Sequence, residues 1–194
     1  MKNPLVSILC ITYNHEQFIG KCLESLVSQE CDFDFEILIH DDASTDETQA
    51  VIKEFQQRYP EVVKPIFQTE NQWSKQAGGI NLRFNYPRAK GKYIALCEGD
   101  DFWIGTDKLQ KQVAILEEHP ECSLTTGAYR MSQDGKEDVV VRNRLKTEEQ
   151  DGQGGFFVLE DITNNFAIKT STLVFRNLPD LIDQFKRYKF TFDM

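Results

Sequence analysis

The sequence is short of basic residues. Only 22 Lys and Arg stand against 31 Asp and Glu, which gives a formal net charge of −9 at pH 7. Proteins bind nucleic acid mainly through Lys and Arg contacts to phosphates, and no basic stripe along this chain would supply them. We therefore exclude nucleic acid as a partner.

Long hydrophobic runs are also missing. Residues 5–11 form an apolar stretch interrupted by Ser7. This stretch is far shorter than the roughly 20 residues that cross a bilayer, and no small-residue cleavage site follows it. We expect no membrane span and no signal peptide. The expected location is the cytoplasm, and peripheral attachment to the inner face of the membrane stays open.

Cysteine pairs are absent as well. The five cysteines are odd in number, form no C-x-x-C pair and lie mostly in apolar segments. This usage predicts free thiols in a reducing compartment and argues against a thiolate metal site.

What is present fits one globular domain. The chain has 194 residues, 40% of them apolar and 27% charged. A chain of this length buries roughly 70% of the surface that its unfolded form exposes. We expect a single domain over residues 1–194.

The first hundred residues alternate β-rich runs with amphipathic helices, the pattern of a mostly parallel sheet with helices on both faces. In the first helix, Ile19, Cys22, Leu23, Leu26 and Val27 recur at helical spacing. The sequence therefore predicts an α/β fold with a mainly parallel central sheet. The predicted strands cover residues 5–11, 35–40, 62–67 and 93–97.

Two polar pairs are predicted to cap helices. Asn14 and Gln17 have the spacing of a cap for the first helix, and Ser44 and Glu47 form an S-x-x-E box for the second, which stops at Pro60. Both helices would then begin directly after a strand.

The second half of the chain predicts a mixed sheet. Strands at residues 122–132 and 139–142 would form a hairpin around an Asp134–Gly135 turn. The other predicted elements are a loop with a short helix at 71–89, a helix at 106–119 and a mobile loop at 150–155.

Three polar clusters follow predicted strands. They are Thr12–Tyr13–Asn14, Asp41–Asp42–Ala43–Ser44 and Glu98–Gly99–Asp100–Asp101. Each could be an ordinary polar loop, but in open α/β sheets ligands bind at the carboxyl ends of the strands. The three clusters together predict one binding site at that edge.

The third cluster crowds three carboxylates within four residues, and such crowding favours a neutralising cation. On an extended backbone, Glu98 and Asp100 would point to one side and Asp101 to the other, ready to hold Mg²⁺ or Mn²⁺. Gly99 would let a ligand approach the backbone closely. A solvated acidic turn is the alternative.

The ligand class follows from a further absence. The chain has neither a G-x-x-x-x-G-K-[ST] loop nor a G-x-G-x-x-G after its first strand, so a diphosphate would have to be held through the metal. Asp41 or Asp42 could accept hydrogen bonds from a base or a ribose hydroxyl, and Tyr13 could stack on the base.

These motifs carry a family resemblance. VSILCITYNHEQFIGKCLESLVSQ, EILIHDDASTDET and GKYIALCEGDDFW, in this order and spacing, resemble glycosyltransferase family 2, the inverting enzymes of the GT-A fold that use nucleotide-diphosphate sugar donors. The resemblance implies a Rossmann-like GT-A domain and a divalent metal at a D-x-D-type motif. It also implies a donor-binding half over residues 1–101 and an acceptor-side half over 102–194.

The resemblance also implies roles for single residues. Thr12, Tyr13 and Asn14 would line the nucleotide pocket, and Asp41 or Asp42 would hold the base or ribose. Asp100 is the first choice of metal ligand, with Glu98 or Asp101 assisting. Glu98 departs from the commonest pattern, because it stands where the first Asp of D-x-D often lies, and it could instead reach the sugar or ribose.

Other candidates lie around this pocket. Thr170, Ser171 and Thr172 resemble the acceptor-side segment and would lie near the donor sugar, with an edge strand as the alternative. Trp103 could pack against an acceptor sugar or belong to the core. Arg83 and Lys75 could offset donor charge or be solvated surface groups.

The resemblance places the general base downstream, where Asp193 is the matching carboxylate. Only Met194 follows it, so we expect a truncated chain with an unfinished acceptor half.

The leading prediction is a metal-dependent inverting glycosyltransferase of surface polysaccharide assembly, with a UDP-sugar as the default donor and a glycan or lipid-linked acceptor. A non-catalytic nucleotide-sugar-binding module is the second reading. A metal-dependent phosphohydrolase is disfavoured, because the first strand offers no D-x-D nucleophile. The motifs predict no oligomeric state.

Overall fold

Parallel pairing of the first four strands sets the architecture. The computed structural model describes residues 3–76, 79–132, 139–141 and 168–178. Strand β1 (Val6–Thr12) lies between β2 (Phe35–Asp41) and β4 (Tyr93–Leu96), and β3 (Val63–Phe67) flanks β2, all in parallel. The mainly parallel sheet is confirmed, and each predicted strand agrees with the observed one to within a residue at either end.

The sheet becomes mixed on the other side of β4. Strand β8 (Val174–Arg176) runs antiparallel to β4 and to β5 (Leu124–Thr125), which gives the order β3-β2-β1-β4-β8-β5. Thus β8 is an interior strand, formed by a segment distant in sequence from its partners.

A separate hairpin joins β6 (Tyr129–Met131) and β7 (Val139–Val141). Its strands match the predicted hairpin, whereas the Asp134–Gly135 turn lies outside the described residues. The single strand predicted for residues 122–132 is wrong, because β5 pairs with β8 while β6 pairs with β7.

Helices cover both faces of the sheet. On one face, α1 (Ile19–Val27), α2 (Thr48–Arg58) and α4 (Lys108–Glu118) bury their apolar sides against β1, β2 and β4. Each fully buried Ile or Leu there contributes about 1.5–3 kcal/mol. The members of this core with no exposed surface include Ile8, Ile19, Leu23, Leu26, Ile37, Ile39, Ile52, Leu109 and Leu116.

The second face is covered by the connection between β3 and β4. This connection contains α3 (Gln72–Lys75), a π-helical turn (Asn81–Asn85) and a 3₁₀ turn (Tyr86–Arg88), and is therefore more helical than the loop and short helix predicted. Tyr86 packs there against Leu9, Leu38 and Ile94. The buried Asn85 ties this segment to β1, because its side-chain Nδ2 donates to the Cys10 carbonyl at 3.0 Å.

Candidate functional site

The three polar clusters lie side by side at the carboxyl edge of the sheet. Thr12 is in register with Asp41 across β1 and β2. Beyond the strands, the Asp42 amide donates to the Thr12 carbonyl at 3.0 Å, and the Gly99 amide donates to the Ile11 carbonyl at 2.9 Å. The end of β1 is thus held between the second and third clusters, and all three loops open onto one edge.

Asn14 and Ser44 join the first two loops to each other. The Asn14 side chain accepts from the Thr45 amide at 2.8 Å, and the Asn14 amide donates to the Ser44 hydroxyl at 2.9 Å. The residues that directly precede α1 and α2, Phe18 and Glu47, make no side-chain cap, and the Thr48 amide at the start of α2 donates to Asp46 at 3.0 Å. Both predicted caps are therefore wrong, because these polar groups find partners about 30 residues away in the sequence.

Two residues in these loops have a left-handed backbone. Asn14 has a φ of 53° and Ala43 a φ of 65°. Asn tolerates this region, whereas for Ala it costs roughly 1–2 kcal/mol. Non-glycine residues held in this way concentrate at functional sites. The strained backbone at Ala43 therefore indicates that the loop beside Asp42 belongs to a functional site.

Asp41 and Asp42 are both buried but have different partners. Asp41 accepts from the side chains of Ser44 at 2.5 Å and Gln49 at 2.6 Å. Asp42 instead accepts from the backbone amides of Gln72 and Trp73, at 2.7 and 3.0 Å, at the start of α3. Asp42 therefore anchors the next loop, and a ligand group reaching Asp41 would have to displace Ser44 or Gln49.

A buried histidine supports Asp42. His40 Nε2 lies 3.3 Å from Asp42 Oδ1. Burial lowers the pKa of His40, although the neighbouring Asp42 and Asp41 carboxylates oppose the shift. The neutral imidazole can donate to Asp42, and sequence spacing had not singled it out.

Thr12 and Tyr13 face opposite environments. Tyr13 is exposed at the edge, where its ring is accessible. Thr12 is only 3% exposed, and its hydroxyl has no hydrogen-bond partner within the described part of the chain. A buried hydroxyl without a partner costs roughly 1–3 kcal/mol, and such a group at a sheet edge points to a ligand.

The acidic cluster forms a tight turn. The Asp101 amide donates to the Glu98 carbonyl at 3.0 Å, so the backbone is not extended here and the side-chain arrangement described for an extended backbone does not apply. A Cβ on Gly99 would lie 2.6 Å from Thr12 Oγ1 and 2.7 Å from Thr12 Cβ. Gly99 therefore allows β1, rather than a ligand, to approach the turn.

The three carboxylates of the turn differ in environment. Asp100 is exposed, Asp101 is partly buried, and Glu98 carries a buried Oε2 with no hydrogen-bond partner among the described residues. Burial raises the pKa of Glu98, and the Asp101 charge adds to the shift, while Thr170 and Lys169 oppose it. Glu98 is thus a half-buried residue whose charged form is destabilised by its surroundings.

A cation that sequence analysis overlooked faces this turn. Lys169 Nζ lies 3.2 Å from Asp101 Oδ2. Partial burial acts to lower the pKa of Lys169, but the charges of Asp101, Glu98 and Asp100 raise it overall. No local sequence signal indicates this contact, because it forms only when β8 pairs with β4.

That segment is a 3₁₀ turn (Thr170–Thr172) before β8 rather than an edge strand. Ser171 and Thr172 are buried, and the Ser171 carbonyl accepts from Trp103 Nε1 at 2.8 Å. Trp103 is itself only 5% exposed. The core alternative for Trp103 therefore holds in this structure, and its indole fixes the turn that carries Lys169.

The two basic candidates near α3 have protein partners. Arg83 donates to the carbonyl of Gln76 at 2.9 Å, and Lys75 pairs with Glu70 on the surface. Both side chains support the connection between β3 and β4. Asp193 lies outside the described residues.

A divalent cation fits this turn as a partial site. Among the described residues, no three His, Cys, Asp or Glu side chains converge on one point. Mg²⁺, however, is usually bound through one or two carboxylates together with substrate phosphates. Asp100 and Asp101 can supply such oxygens, and the partnerless Glu98 Oε2 shows that local groups do not neutralise the cluster completely.

No helix within the described ranges is long and apolar enough to cross a membrane.

The five cysteines are all free thiols, as predicted.

Comparison with known proteins shows which family and which solved structures the chain is similar to. The model of the family described as Glycosyl transferase family 2 matches residues 7–182. An Escherichia coli relative, the UDP-Glc:alpha-D-GlcNAc-diphosphoundecaprenol beta-1,3-glucosyltransferase WfaP, is 35% identical over 114 residues, which are 58% of this chain and 41% of WfaP. The curated relatives are longer, and the matches span between 33% and 50% of their lengths.

Two solved structures share the fold. Residues 1–349 of Staphylococcus aureus TarS in complex with UDP align over 96% of this chain and 49% of that one, with 22% identity and a TM-score of 0.64. The mannosyltransferase PcManGT from Pyrobaculum calidifontis, in complex with GDP-Man and Mn²⁺, aligns over 66% of this chain and 36% of that one, with 23% identity and a TM-score of 0.55. The GT-A fold predicted from the sequence is confirmed.

Proposed function

The chain belongs to glycosyltransferase family 2, and from this premise we propose that it transfers a sugar from a nucleotide-diphosphate donor to a hydroxyl of a glycan or lipid-linked acceptor. The process would be surface polysaccharide assembly, and the default donor a UDP-sugar. The observation that carries the proposal is a set of buried polar atoms where three loops meet, Thr12 Oγ1 and Glu98 Oε2 among them, that have no hydrogen-bond partner among the described residues. The donor and lipid-linked acceptor in the name of WfaP support it, as does UDP bound to TarS.

The first two loops would bind the nucleotide. The exposed Tyr13 ring is available to stack on the base. Asn14 holds the two loops together through Thr45, so it would shape the pocket. Asp41 is the better candidate for a base or ribose contact, because Asp42 is engaged by two backbone amides of α3.

Asp100 and Asp101 would hold a divalent cation, Mg²⁺ or Mn²⁺, together with the donor diphosphate. When bound, such an ion stabilises the negative charge that develops on the departing diphosphate. Mn²⁺ bound to PcManGT supports this assignment. Glu98, half-buried at the start of the turn, would reach the ribose or sugar, where a hydroxyl donor would satisfy its Oε2.

The acceptor side would be built by the second half of the chain, residues 102–194. Thr170 lies against Glu98 and would contact the donor sugar, while the buried Ser171 and Thr172 hold the turn in place. Asp193 remains our proposed general base, which would take the proton from the attacking acceptor hydroxyl. The free cysteines support a reducing, cytoplasmic location. Peripheral attachment to the inner face of the membrane would be compatible with this location.

Binding and turnover test the proposal separately. Calorimetry would measure UDP affinity with and without Mn²⁺, and UDP release from UDP-sugars would measure turnover. Asp100→Ala should abolish the Mn²⁺-dependent part of UDP binding. Asp193→Asn should leave UDP affinity nearly unchanged and slow transfer by at least roughly 10²-fold.

Asp34→Ala is the matched control, because Asp34 is exposed just before β2 at the opposite edge of the sheet, and it should behave like the wild type. Binding without any release of UDP would favour the non-catalytic module. Unchanged Mn²⁺-dependent binding in Asp100→Ala would refute the role of Asp100, and release of phosphate from simple phosphomonoesters would revive the phosphohydrolase.

A further inference from the structure

Lys169 is positioned against the acidic turn by the fold. Its carbonyl accepts from the Thr172 hydroxyl at 2.7 Å and from the Thr172 amide at 3.0 Å. The same turn is fixed to α4, since Gln112 Nε2 donates to the Thr172 carbonyl at 3.0 Å. With the Trp103 bond to Ser171, this backbone is tied down on two sides. The backbone position of Lys169 is therefore fixed by hydrogen bonds within the fold, and its approach to the acidic turn is not a chance surface contact.

The contact itself is weak enough to exchange. The Lys169 and Asp101 side chains are 42% and 29% exposed, and a partly exposed ion pair contributes little net stability. The long lysine side chain can reorient while its backbone stays fixed. The ammonium can thus leave Asp101 at low cost when another cation arrives.

The surroundings of the pair point to a ligand. Thr12 is more than nine-tenths buried, and its hydroxyl, which has no partner in the described part of the chain, faces Gly99 in the middle of the turn. Glu98 Oε2 also lacks a hydrogen-bond partner among the described residues. One ammonium near three carboxylates leaves this place negative overall, so it can accept a further cation.

We propose that Lys169 is an exchangeable counter-ion of the donor site: it pairs with Asp101 when the site is empty of donor, and it turns to the donor diphosphate when a divalent cation takes Asp101. This inference rests on the proposed function. Lys169 then opposes binding of the bare metal ion and favours binding of the metal together with a nucleoside diphosphate. The site would thereby select the metal–nucleotide pair over either component.

The test uses two binding measurements on the whole chain. Binding of Mn²⁺ alone would be followed by the loss of the free-ion electron paramagnetic resonance signal, and binding of UDP at saturating Mn²⁺ by calorimetry. Lys169→Met should bind Mn²⁺ alone several-fold more tightly, because the competing ammonium is gone. It should bind UDP in the presence of Mn²⁺ about tenfold more weakly, because a charge-assisted contact to phosphate is lost.

Two further variants distinguish the effect of losing the Lys169 charge from a general disturbance of the fold. Lys169→Arg keeps the positive charge and should stay near the wild type in both measurements. Lys92→Met removes the same charge from an exposed ion pair with Glu117, before β4 at the opposite edge of the sheet, and should also leave both unchanged. A purely structural role of Lys169 would not make Mn²⁺ binding tighter.

The outcomes distinguish the inference from its premise. If the wild type binds no UDP even with Mn²⁺, the proposed function fails. If the wild type binds UDP with Mn²⁺ but Lys169→Met shows no gain in Mn²⁺ affinity, or matches Lys92→Met, the exchange is overturned and the proposed function stands.

Discussion

Each edge of the sheet holds a glutamate that is wholly or partly removed from solvent, and the two side chains differ in their hydrogen-bond partners. At the amino edge, Glu36 is 1% exposed, and it accepts from Ser7 Oγ at 2.7 Å, the Lys90 amide at 3.0 Å and Lys64 Nζ at 2.9 Å. Burial acts to raise the pKa of Glu36, but Lys64, Ser7 and Lys90 lower it overall. At the carboxyl edge, burial raises the pKa of Glu98, and its Oε2 lacks a partner within the described ranges.

This difference separates stability from binding. Satisfied polar groups at the amino edge stabilise the sheet, whereas unsatisfied groups at the carboxyl edge cost stability and are typical of sites that receive a ligand. Both edges use a glycine to bring β4 close to β1, Gly91 at one end and Gly99 at the other. Substitutions at two pairs of residues, Gly91 with Gly99 and Glu36 with Glu98, test this difference between the edges.

The glycine pair should give the largest effect on stability. A Cβ on Gly91 would lie 2.5 Å from the Ser7 amide nitrogen and 2.7 Å from the Val6 carbonyl carbon, which are backbone atoms that cannot move aside. We expect Gly91→Ala to lower the free energy of unfolding by about 3 kcal/mol, at the upper end of overpacking costs. Urea denaturation would measure it.

Gly99→Ala should cost less, about 1–2 kcal/mol, because its first clash is with the Thr12 side chain, but it should weaken binding of UDP with Mn²⁺. Gly127→Ala is the control, since a Cβ there meets nothing within 4 Å. Equal destabilisation by Gly91→Ala and Gly99→Ala would contradict the distinction between the edges.

Glu36→Gln should have the next largest effect and a clear pH dependence. Because the folded pKa of Glu36 lies below its unfolded value, its charge stabilises the fold above the unfolded pKa of about 4.3. This contribution is lost as the pH falls through the folded pKa. We expect Glu36→Gln to cost about 2 kcal/mol at pH 7 and progressively less below pH 4.3.

Urea denaturation at several pH values would measure this loss, with Glu117→Gln as an exposed control expected to change stability by less than about 0.5 kcal/mol. A constant cost of Glu36→Gln at every pH would show that the loss of a hydrogen-bond acceptor, rather than the loss of charge, is responsible.

Glu98→Gln should give the smallest effect and the opposite sign. Its charged form is disfavoured by burial, so removing the charge should raise the free energy of unfolding at pH 7 by about 1 kcal/mol in the absence of divalent cations. The same variant should bind UDP more weakly with Mn²⁺ present. If Glu98→Gln lowered the free energy of unfolding as much as Glu36→Gln does, the charge of Glu98 would stabilise the fold.

The sequence was most informative where structure is local. Strands β1 to β4 and helices α1 and α4 follow from hydrophobic period, because each buries one face or both against a continuous core. The parallel order then brings Thr12, Asp42 and Gly99 to one edge without further information. These features could be predicted from residue spacing alone.

The contacts inside the site could not be predicted in this way. Asn14 and Ser44 have the spacing of helix caps, yet they bond across two loops because the fold places those loops side by side. Lys169 meets Asp101 only because β8 inserts between β4 and β5. Distances of this kind depend on topology, which the local sequence does not encode.

The chain contains two tryptophans, and their placement provides intrinsic optical reporters. Trp73 is 41% exposed, lies in the first turn of α3 and donates its backbone amide to Asp42. Trp103 is buried, and its indole donates to the Ser171 carbonyl. Acrylamide should therefore quench the red-shifted emission of Trp73 first and leave the blue-shifted emission of Trp103. Fluorescence titration of the unlabelled protein can then report separately on the two sides of the pocket.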